Sequence, residues 1–435
     1  MQSTLRSLTL AARTVPAAVR NHRNIALARY NRCIKALPGH KPAVTTVPVH
    51  AMATTAPASP AEARAMARFR QLVPTLGGNY KGAHGKVAVV GGCLEFTGAP
   101  FFAAMSALRV GADMAYVICT PSAATAIKSY SPELMVLPYL PEQQQQQQQQ
   151  QMSTGAEGEG PVDQAAVELA VSRICPWLSR ASALVVGPGL GGDPAVCATA
   201  AALMGEARRL GLPLLVDGSA LTHIVAKNAA TVSGYRSCIL TPNVAELGRI
   251  AEAVGLRLPG KMSDAWLAHA PRVAEAFGGP VVLAKGEEDL LCGPAEQQQQ
   301  QQPESGAPPD TSPSTAASRE PQPLLRCSDP GSLRRCGGQG DVLAGTAAAF
   351  LGWAAKQQQQ QQQQFQADAS GGGGGGSRGC GGGLDTATVA LCGYAACKVM
   401  RGAARRAFEA EERSMLAGDI IPLLYPTFKQ IVGQS

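Results

Sequence analysis

Short apolar runs that stop at glycine or aspartate, each followed by a helical stretch, constrain this chain most. Val87–Val90, Ala183–Val186 and Leu214–Val216 are apolar throughout and end at Gly91-Gly92, at Gly187-Pro188-Gly189-Leu190-Gly191 and at Asp217. A strand that is apolar at every position must be covered on both faces, which is the condition of a strand inside a parallel sheet. Met114–Ile118, Leu134–Leu137, Cys238–Leu240 and Val281–Ala284 continue the series. Helical stretches come between them, at Pro100–Val110, Ser122–Ser129, 162–178 and Ala195–Leu210. The alternation predicts an α/β fold with a mostly parallel central sheet and helices on both faces, in three αβα layers. Such sheets place ligands at the carboxyl ends of their strands, where these glycine clusters fall.

The chain has 435 residues, 45% of them hydrophobic and 16% charged, enough for a sizeable core. Its net charge of +7 is concentrated at the start: residues 1–61 hold eight Lys and Arg and no Asp or Glu. Without that stretch the chain is near neutral, so no nucleic-acid partner is implied. An acid-free leader rich in Arg, Ser, Thr and Ala, without a long apolar centre, reads as a transit peptide for a mitochondrion or plastid. Met52 offers an internal start for a shorter, cytosolic form. Nothing approaches the roughly 20 apolar residues of a membrane span, so no membrane partner is expected. A homo-oligomer is left open. The twelve cysteines form no C-x-x-C pair and read as reduced thiols.

Residues 62–435 read as one domain interrupted at about 141–161, 293–323 and 357–383. There the runs Gln143–Gln151, Gln297–Gln302, Gln357–Gln364 and Gly371–Gly376 offer too little apolar surface to offset the entropy of ordering. They read as exposed loops. Closure entropy grows only as the logarithm of loop length, so they leave one core of roughly 300 residues intact.

Gly331-Ser332-Leu333-Arg334-Arg335-Cys336-Gly337-Gly338-Gln339-Gly340-Asp341 runs into an alanine-rich apolar stretch ending at Phe350. Three glycines in four positions suit a turn, and the apolar stretch suits a buried helix. The turn delivers the chain to a helix N-terminus, where unpaired amides and the helix dipole suit an anion. Asp341 either caps that helix or takes a proton from a hydroxyl beside the anion hole. Arg334 and Arg335 add guanidinium groups suited to phosphate. Cys336 reads as a packing residue rather than a nucleophile.

Other stations allow two readings. Gly91-Gly92 either turns the chain or admits a ligand. Asp217 either caps or faces a substrate or metal. Asn243 and Glu246 either form a capping box or leave Glu246 to polarise a magnesium-bound water. Lys285-Gly286-Glu287-Glu288-Asp289 reads as a hairpin tip, with Lys285 solvated or bound to phosphate.

Lys86–Gly98, Val110-Gly111-Ala112-Asp113, Ser131-Pro132-Glu133, Val186–Gly191, Thr241–Arg249, Lys285–Asp289 and Arg334–Gly345 occur in the order found in the ATP-dependent (S)-NAD(P)H-hydrate dehydratases, which the chain resembles from about Lys81 to Leu424. The resemblance implies the ribokinase-like fold and a repair reaction. Hydrated NADH or NADPH, NAD(P)HX, is returned to NAD(P)H while ATP becomes ADP and phosphate, with Mg2+ as cofactor. It implies that Gly111, Asn243, Val244, Ala245, Glu246, Leu247, Gly248 and Arg249 contact the hydrated cofactor, together with Asp341 as catalytic base. Lys285, Gly286, Glu287, Glu288, Asp289, Gly331, Ser332, Leu333, Arg334, Arg335, Cys336, Gly337, Gly338, Gln339 and Gly340 would hold ATP. Leu247 stands where the family often has an aromatic residue. The alternatives are a kinase of the same superfamily that stops at the phosphorylated alcohol, and a nucleotide-binding regulator without turnover.

Overall fold

The computed structural model describes residues 60–76, 81–142, 162–294, 321–370 and 383–433, without the side chains of 366–370. Residues 1–59 of the leader, the runs Gln143–Gln151 and Gln297–Gln302, and Gly371–Gly376 lie outside the described residues. In chain order the elements are α1 (Pro60–Leu72), β1 (Lys86–Val90), α2 (Gly98–Val110), β2 (Met114–Ile118), α3 (Pro121–Tyr130), β3 (Met135–Leu137), α4 (Gln164–Leu178), β4 (Ala183–Val186), α5 (Pro194–Arg209), β5 (Leu214–Val216), β6 (Cys238–Leu240), α6 (Val244–Ala253), α7 (Ala270–Phe277), β7 (Val281–Ala284), β8 (Asp289–Cys292), β9 (Leu325–Cys327), α8 (Gln339–Ser370), α9 (Thr386–Glu411), α10 (Ala417–Ile420) and α11 (Leu424–Val432).

The described strands form one sheet of nine, in the order β3-β2-β1-β4-β5-β6-β7-β8-β9. From β3 to β7 all neighbours are parallel. The β8 and β9 strands complete the sheet antiparallel. The period of two decides which side chain goes where. Val87, Val89, Ala115, Val117, Val185, Leu215 and Ile239 enter one core, under α1, α2, α3, α8, α9 and α11. Ala88, Val90, Tyr116, Ile118, Leu184, Val186, Leu214 and Leu240 enter the other, under α4, α5, α6 and α7. The three layers and mostly parallel sheet expected from the alternating runs are therefore present.

Helix α8 is the centre of the first layer. Val342, Leu343, Ala344, Ala347, Phe350 and Leu351 are all buried, so no stripe of this segment faces water. Small residues let α8 approach α2 closely. A Cβ on Gly345 would lie 1.9 Å from the Ala103 carbonyl oxygen.

Two expectations need correction. Pro60 and Ala61, assigned to the leader, already belong to α1. Proline suits the first helical position, and Phe69 anchors the helix with its ring centroid 4.8 Å from that of Phe350. The run Gln357–Gln364, read as loop, continues α8 as helix. Glutamine is a good helix former, and the buried turns before it supply the costly nucleus. After the second insertion, set at about 293–323, the Leu324 amide donates to the Leu291 carbonyl (2.8 Å) and starts the pairing of β9 with β8. Gly91-Gly92 turns the chain from β1 toward α2 and ties it to the segments that follow β4 and β2: the Gly92 amide donates to the Gly189 carbonyl (3.0 Å), and the Thr120 amide to the Gly92 carbonyl (3.1 Å).

Among the described residues, no helix is long and apolar enough to cross a membrane.

Candidate active site

The glycine-rich loop is held from below. Gly338 has φ +93°, and a Cβ there would come 2.7 Å from Ala417 Cβ and 2.8 Å from Phe102 Cδ2. Only glycine meets both conditions, and the contacts pin the loop between α2 and α10. The Val342 amide donates to the Gly338 carbonyl (3.0 Å), opening α8. The amides just before it are those that a helix leaves without internal partners, and they converge on one spot. Gln339 Nε2 donates to Ser332 Oγ (3.2 Å) and to the Arg334 carbonyl (3.1 Å), which folds the loop back on itself. Arg334 Nε is buried with no hydrogen-bond acceptor, a vacancy that a phosphate oxygen would satisfy. Arg335 and Gly337 are exposed, and Leu333 is 90% exposed. Cys336 packs against the first core, and burial pushes its thiol up, away from the reactive thiolate.

Asp341 sits half-buried in the first turn of α8. Burial pushes its carboxyl up to about 7, and the charge of Asp217 adds to the rise while Lys285 opposes it. Asp217, at the carboxyl end of β5, accepts from Lys285 Nζ (2.8 Å) and lies 2.6 Å from the Thr241 hydroxyl, both through Oδ1. Burial alone would lower the Lys285 ammonium, but the negative charges of Asp217 and Glu246 outweigh it and the net shift is upward. Lys285 is therefore not a solvated turn residue. Both partners flank the loop: a Cβ on Gly340 would lie 3.4 Å from Lys285 Nζ and 3.6 Å from Asp217 Oδ2. A base of near-neutral pKa, a cation and a set of amides thus surround one point at the strand ends.

Helix α6 supplies another wall. Asn243 and Glu246 form the capping box, with each amide 2.9 Å from the other's side-chain oxygen. The box uses Glu246 Oε2. Burial raises the Glu246 carboxyl, with Lys285 opposing, so this side chain also faces the charged group. Val244 and Ala245 are half-buried and Arg249 is exposed, 3.5 Å from the Thr222 hydroxyl.

Three residues expected to contact the hydrated cofactor are placed elsewhere. Leu247 is fully buried in the second core. Gly248 packs so closely on Trp266 that a Cβ would lie 2.5 Å from Cζ3. Gly111 ends α2 with φ +119° beside Trp353, three turns along α8 from Asp341, near the amino ends of β1 and β2. Its left-handed conformation is reason enough for glycine there.

The hairpin tip expected to hold ATP is knitted into the fold. The Gly286 amide donates to Asp289 Oδ1 (3.2 Å). Asp289 begins β8 and pairs with Arg401 Nη1 (3.0 Å), and the Glu287 carbonyl accepts from Arg401 Nη2. Glu288 accepts from Arg326 (2.5 Å) and Ser328 (2.7 Å). Gly331 lies against Arg401, so the loop and the tip share one anchor. Asp217, read as a cap or a residue facing substrate or metal, and Thr241 were not among the residues assigned to the hydrated cofactor or ATP. A carboxylate ending a strand was the signal for Asp217, but the partner that fixes it lies 68 positions further on.

A family model described as NAD(P)H-hydrate dehydratase matches residues 87–308. The chain is 36% identical over 372 residues to the ATP-dependent (S)-NAD(P)H-hydrate dehydratase of Vitis vinifera, covering 85% of this chain and 88% of that one. It is 33% identical to the protein of the same name from Bos taurus, over 83% of this chain and 87% of that one. Among solved structures, a ribokinase-like superfamily protein from Enterococcus faecalis superposes with a TM-score of 0.51 at 16% identity, covering 85% of this chain and 95% of that one. The ADP/ATP-dependent NAD(P)H-hydrate dehydratase of Bacillus subtilis, co-crystallised with ATP and Mg2+, superposes with a TM-score of 0.50 at 14% identity, covering 84% and 97%. These two show a shared fold, and the sequence relatives show more: the chain belongs to the NAD(P)H-hydrate dehydratase family.

Proposed function

We propose that this protein dehydrates the S-epimer of hydrated NADH or NADPH, using ATP and releasing ADP and phosphate. The observation that carries the proposal is Asp341, a carboxyl raised to about 7, at the mouth of an amide-lined helix terminus. Its charge state can change at neutral pH, as a general base requires.

Water leaves poorly and phosphate leaves well. Asp341 takes the proton of the ring hydroxyl as that oxygen attacks the γ-phosphorus. The new O–P bond forms as the bond to ADP breaks. The Gly337–Gly340 amides and Arg334 would hold the charge developing on the phosphoryl oxygens, and one such donor is worth about 10²–10³ in rate. The carbon–oxygen bond then breaks with the ring nitrogen lone pair assisting. Loss of a proton from the neighbouring carbon restores the ring double bond. Asn243, Val244, Ala245, Glu246 and Arg249 would line the dinucleotide side. Lys285 and the loop would serve the ATP side.

Among the described residues, no three His, Cys, Asp or Glu groups are placed to cage a metal. That suits magnesium brought in by the triphosphate, which keeps most of its waters. When bound it would supply charge neutralisation on the phosphates, and Glu246 is the carboxylate that would meet its water shell.

The test is incubation with hydrated NADH, ATP and Mg2+, following ADP, phosphate and reduced-nicotinamide absorbance together. The proposal expects all three in equal amounts. A phosphorylated product without free phosphate would make it a kinase, and no turnover would make it a regulator. The acid-free leader supports import into a mitochondrion or plastid. A fluorescent fusion of residues 1–61 that stays in the cytosol would remove that part.

A further inference from the structure

Lys285 faces carboxylates on three different elements: Asp217 at the end of β5, Glu246 on α6 and Asp341 on α8. Arg249 acts on Glu246 from one turn along α6. Of the three carboxylates, Asp217 makes the hydrogen bond to the ammonium, at 2.8 Å. Asp217 is 3% exposed, and its backbone is fixed on both sides. Its amide donates to the Val186 carbonyl (3.0 Å), and its own carbonyl lies where a Cβ on Gly187 would be, 1.7 Å away. Thr241 Oγ1 lies 2.6 Å from the oxygen that Lys285 uses. The far oxygen, Oδ2, faces Gly340.

We propose that Asp217 is a positioning residue: it tethers the Lys285 ammonium beneath Gly340, so that one cation lies beside both the base and the phosphoryl group in transfer. This rests on the dehydratase reading. Without the tether, a flexible ammonium in a site of low dielectric closes on the nearest remaining carboxylate. Paired with Asp341, it weakens the base and abandons the phosphoryl side. Held by Asp217, it stabilises developing negative charge without neutralising the group that must accept the proton. The side chain is too deep to touch either substrate, so its hold on the phosphoryl side passes through Lys285, while its charge also acts directly on Asp341.

The experiment compares the wild type with Asp217→Asn, which keeps the shape and removes the charge, and with Thr241→Val, which loosens the tether. Each is assayed with hydrated NADH and MgATP across pH, and Lys285 is labelled by brief exposure to acetic anhydride at neutral pH. Asp217→Asn is expected to move the acid limb of the kcat profile down by about one pH unit and to lower the plateau about tenfold, with the KM for ATP changed less than kcat. Lys285 in that variant, having lost the charge that holds its pKa up, should acylate faster. Thr241→Val should shift both readouts in the same directions by less. An unmoved acid limb with unchanged labelling, in a variant that unfolds as cooperatively as the wild type, overturns the inference. Absence of wild-type turnover sinks the dehydratase reading instead, and the labelling rate then still decides whether Asp217 holds Lys285. If Asp217→Asn does not fold, Thr241→Val decides.

Discussion

Gly345 and Ala103 meet backbone to backbone where α8 crosses α2, so closely that a Cβ on Gly345 would lie 1.9 Å from the Ala103 carbonyl oxygen. The contact is rigid on both sides, so a methyl group cannot be absorbed by a rotamer change. Gly345→Ala should therefore cost more than the about 1–3 kcal/mol usual for overpacking. Urea unfolding should show a lower midpoint with an unchanged slope. Because Asp341 lies one turn away on the same helix, turnover should fall even at temperatures where the variant is folded.

Asp341→Asn should abolish turnover, by about 10² or more, and leave ATP binding and the circular dichroism spectrum unchanged. Unchanged activity would remove Asp341 from the mechanism.

The pH behaviour follows from the direction of the same shift. Asp341 has its carboxyl raised to about 7 in the folded protein. The stability it contributes is present in full below the ordinary carboxylate range and is lost as pH rises through about 7. Denaturant titrations at several pH values should show Asp341→Asn close to the wild type in acid and more stable than it in alkali. Activity runs the other way, and kcat/KM of the wild type should rise as pH passes through about 7, when the base becomes free to accept a proton.

Arg401→Met should leave Asp289 buried and without its charge partner. Breaking a buried pair from one side costs about 3–5 kcal/mol. The double variant Arg401→Met with Asp289→Leu should recover much of the loss, read as the midpoint of guanidinium unfolding. The same arginine braces the Glu287 carbonyl and Gly331, so the single variant should also raise the KM for ATP.

Deleting Gln297–Gln302 should leave kcat within a factor of about two of the wild type. The insertion departs and returns where β8 pairs with β9, and that pairing closes its ends at Leu291 and Leu324. A large loss would mean the insertion is part of the site.

How far the sequence could be read follows from the range of the forces involved. Val87 to Val90 show in four letters that both faces of a strand are covered, and the structure sends alternate residues into two cores. The glycine loop and the helix after it are local features and were legible for the same reason. Leu325–Cys327 is only three residues after a proline-rich stretch, and only its pairing with β8 makes it a strand. The glutamine run looks like a loop by composition, but it inherits a helix nucleated by its buried predecessor. Leu247 and Gly248 lie within a motif whose Glu246 faces Lys285, yet helical geometry turns them toward the core and Trp266. The Asp217–Lys285 pair is set by sheet order, which brings β5 and β7 to either side of β6.

Helix α8 starts beside Asp341, the proposed base, and continues through the middle of the protein. A catalytic group mounted on such a beam has no independent freedom to swing or slide, so it cannot work as a gate. Any opening needed to admit a dinucleotide must come from the rim segments. Descendants of this chain that acquire new substrates should therefore vary at the rim, while the beam drifts slowly.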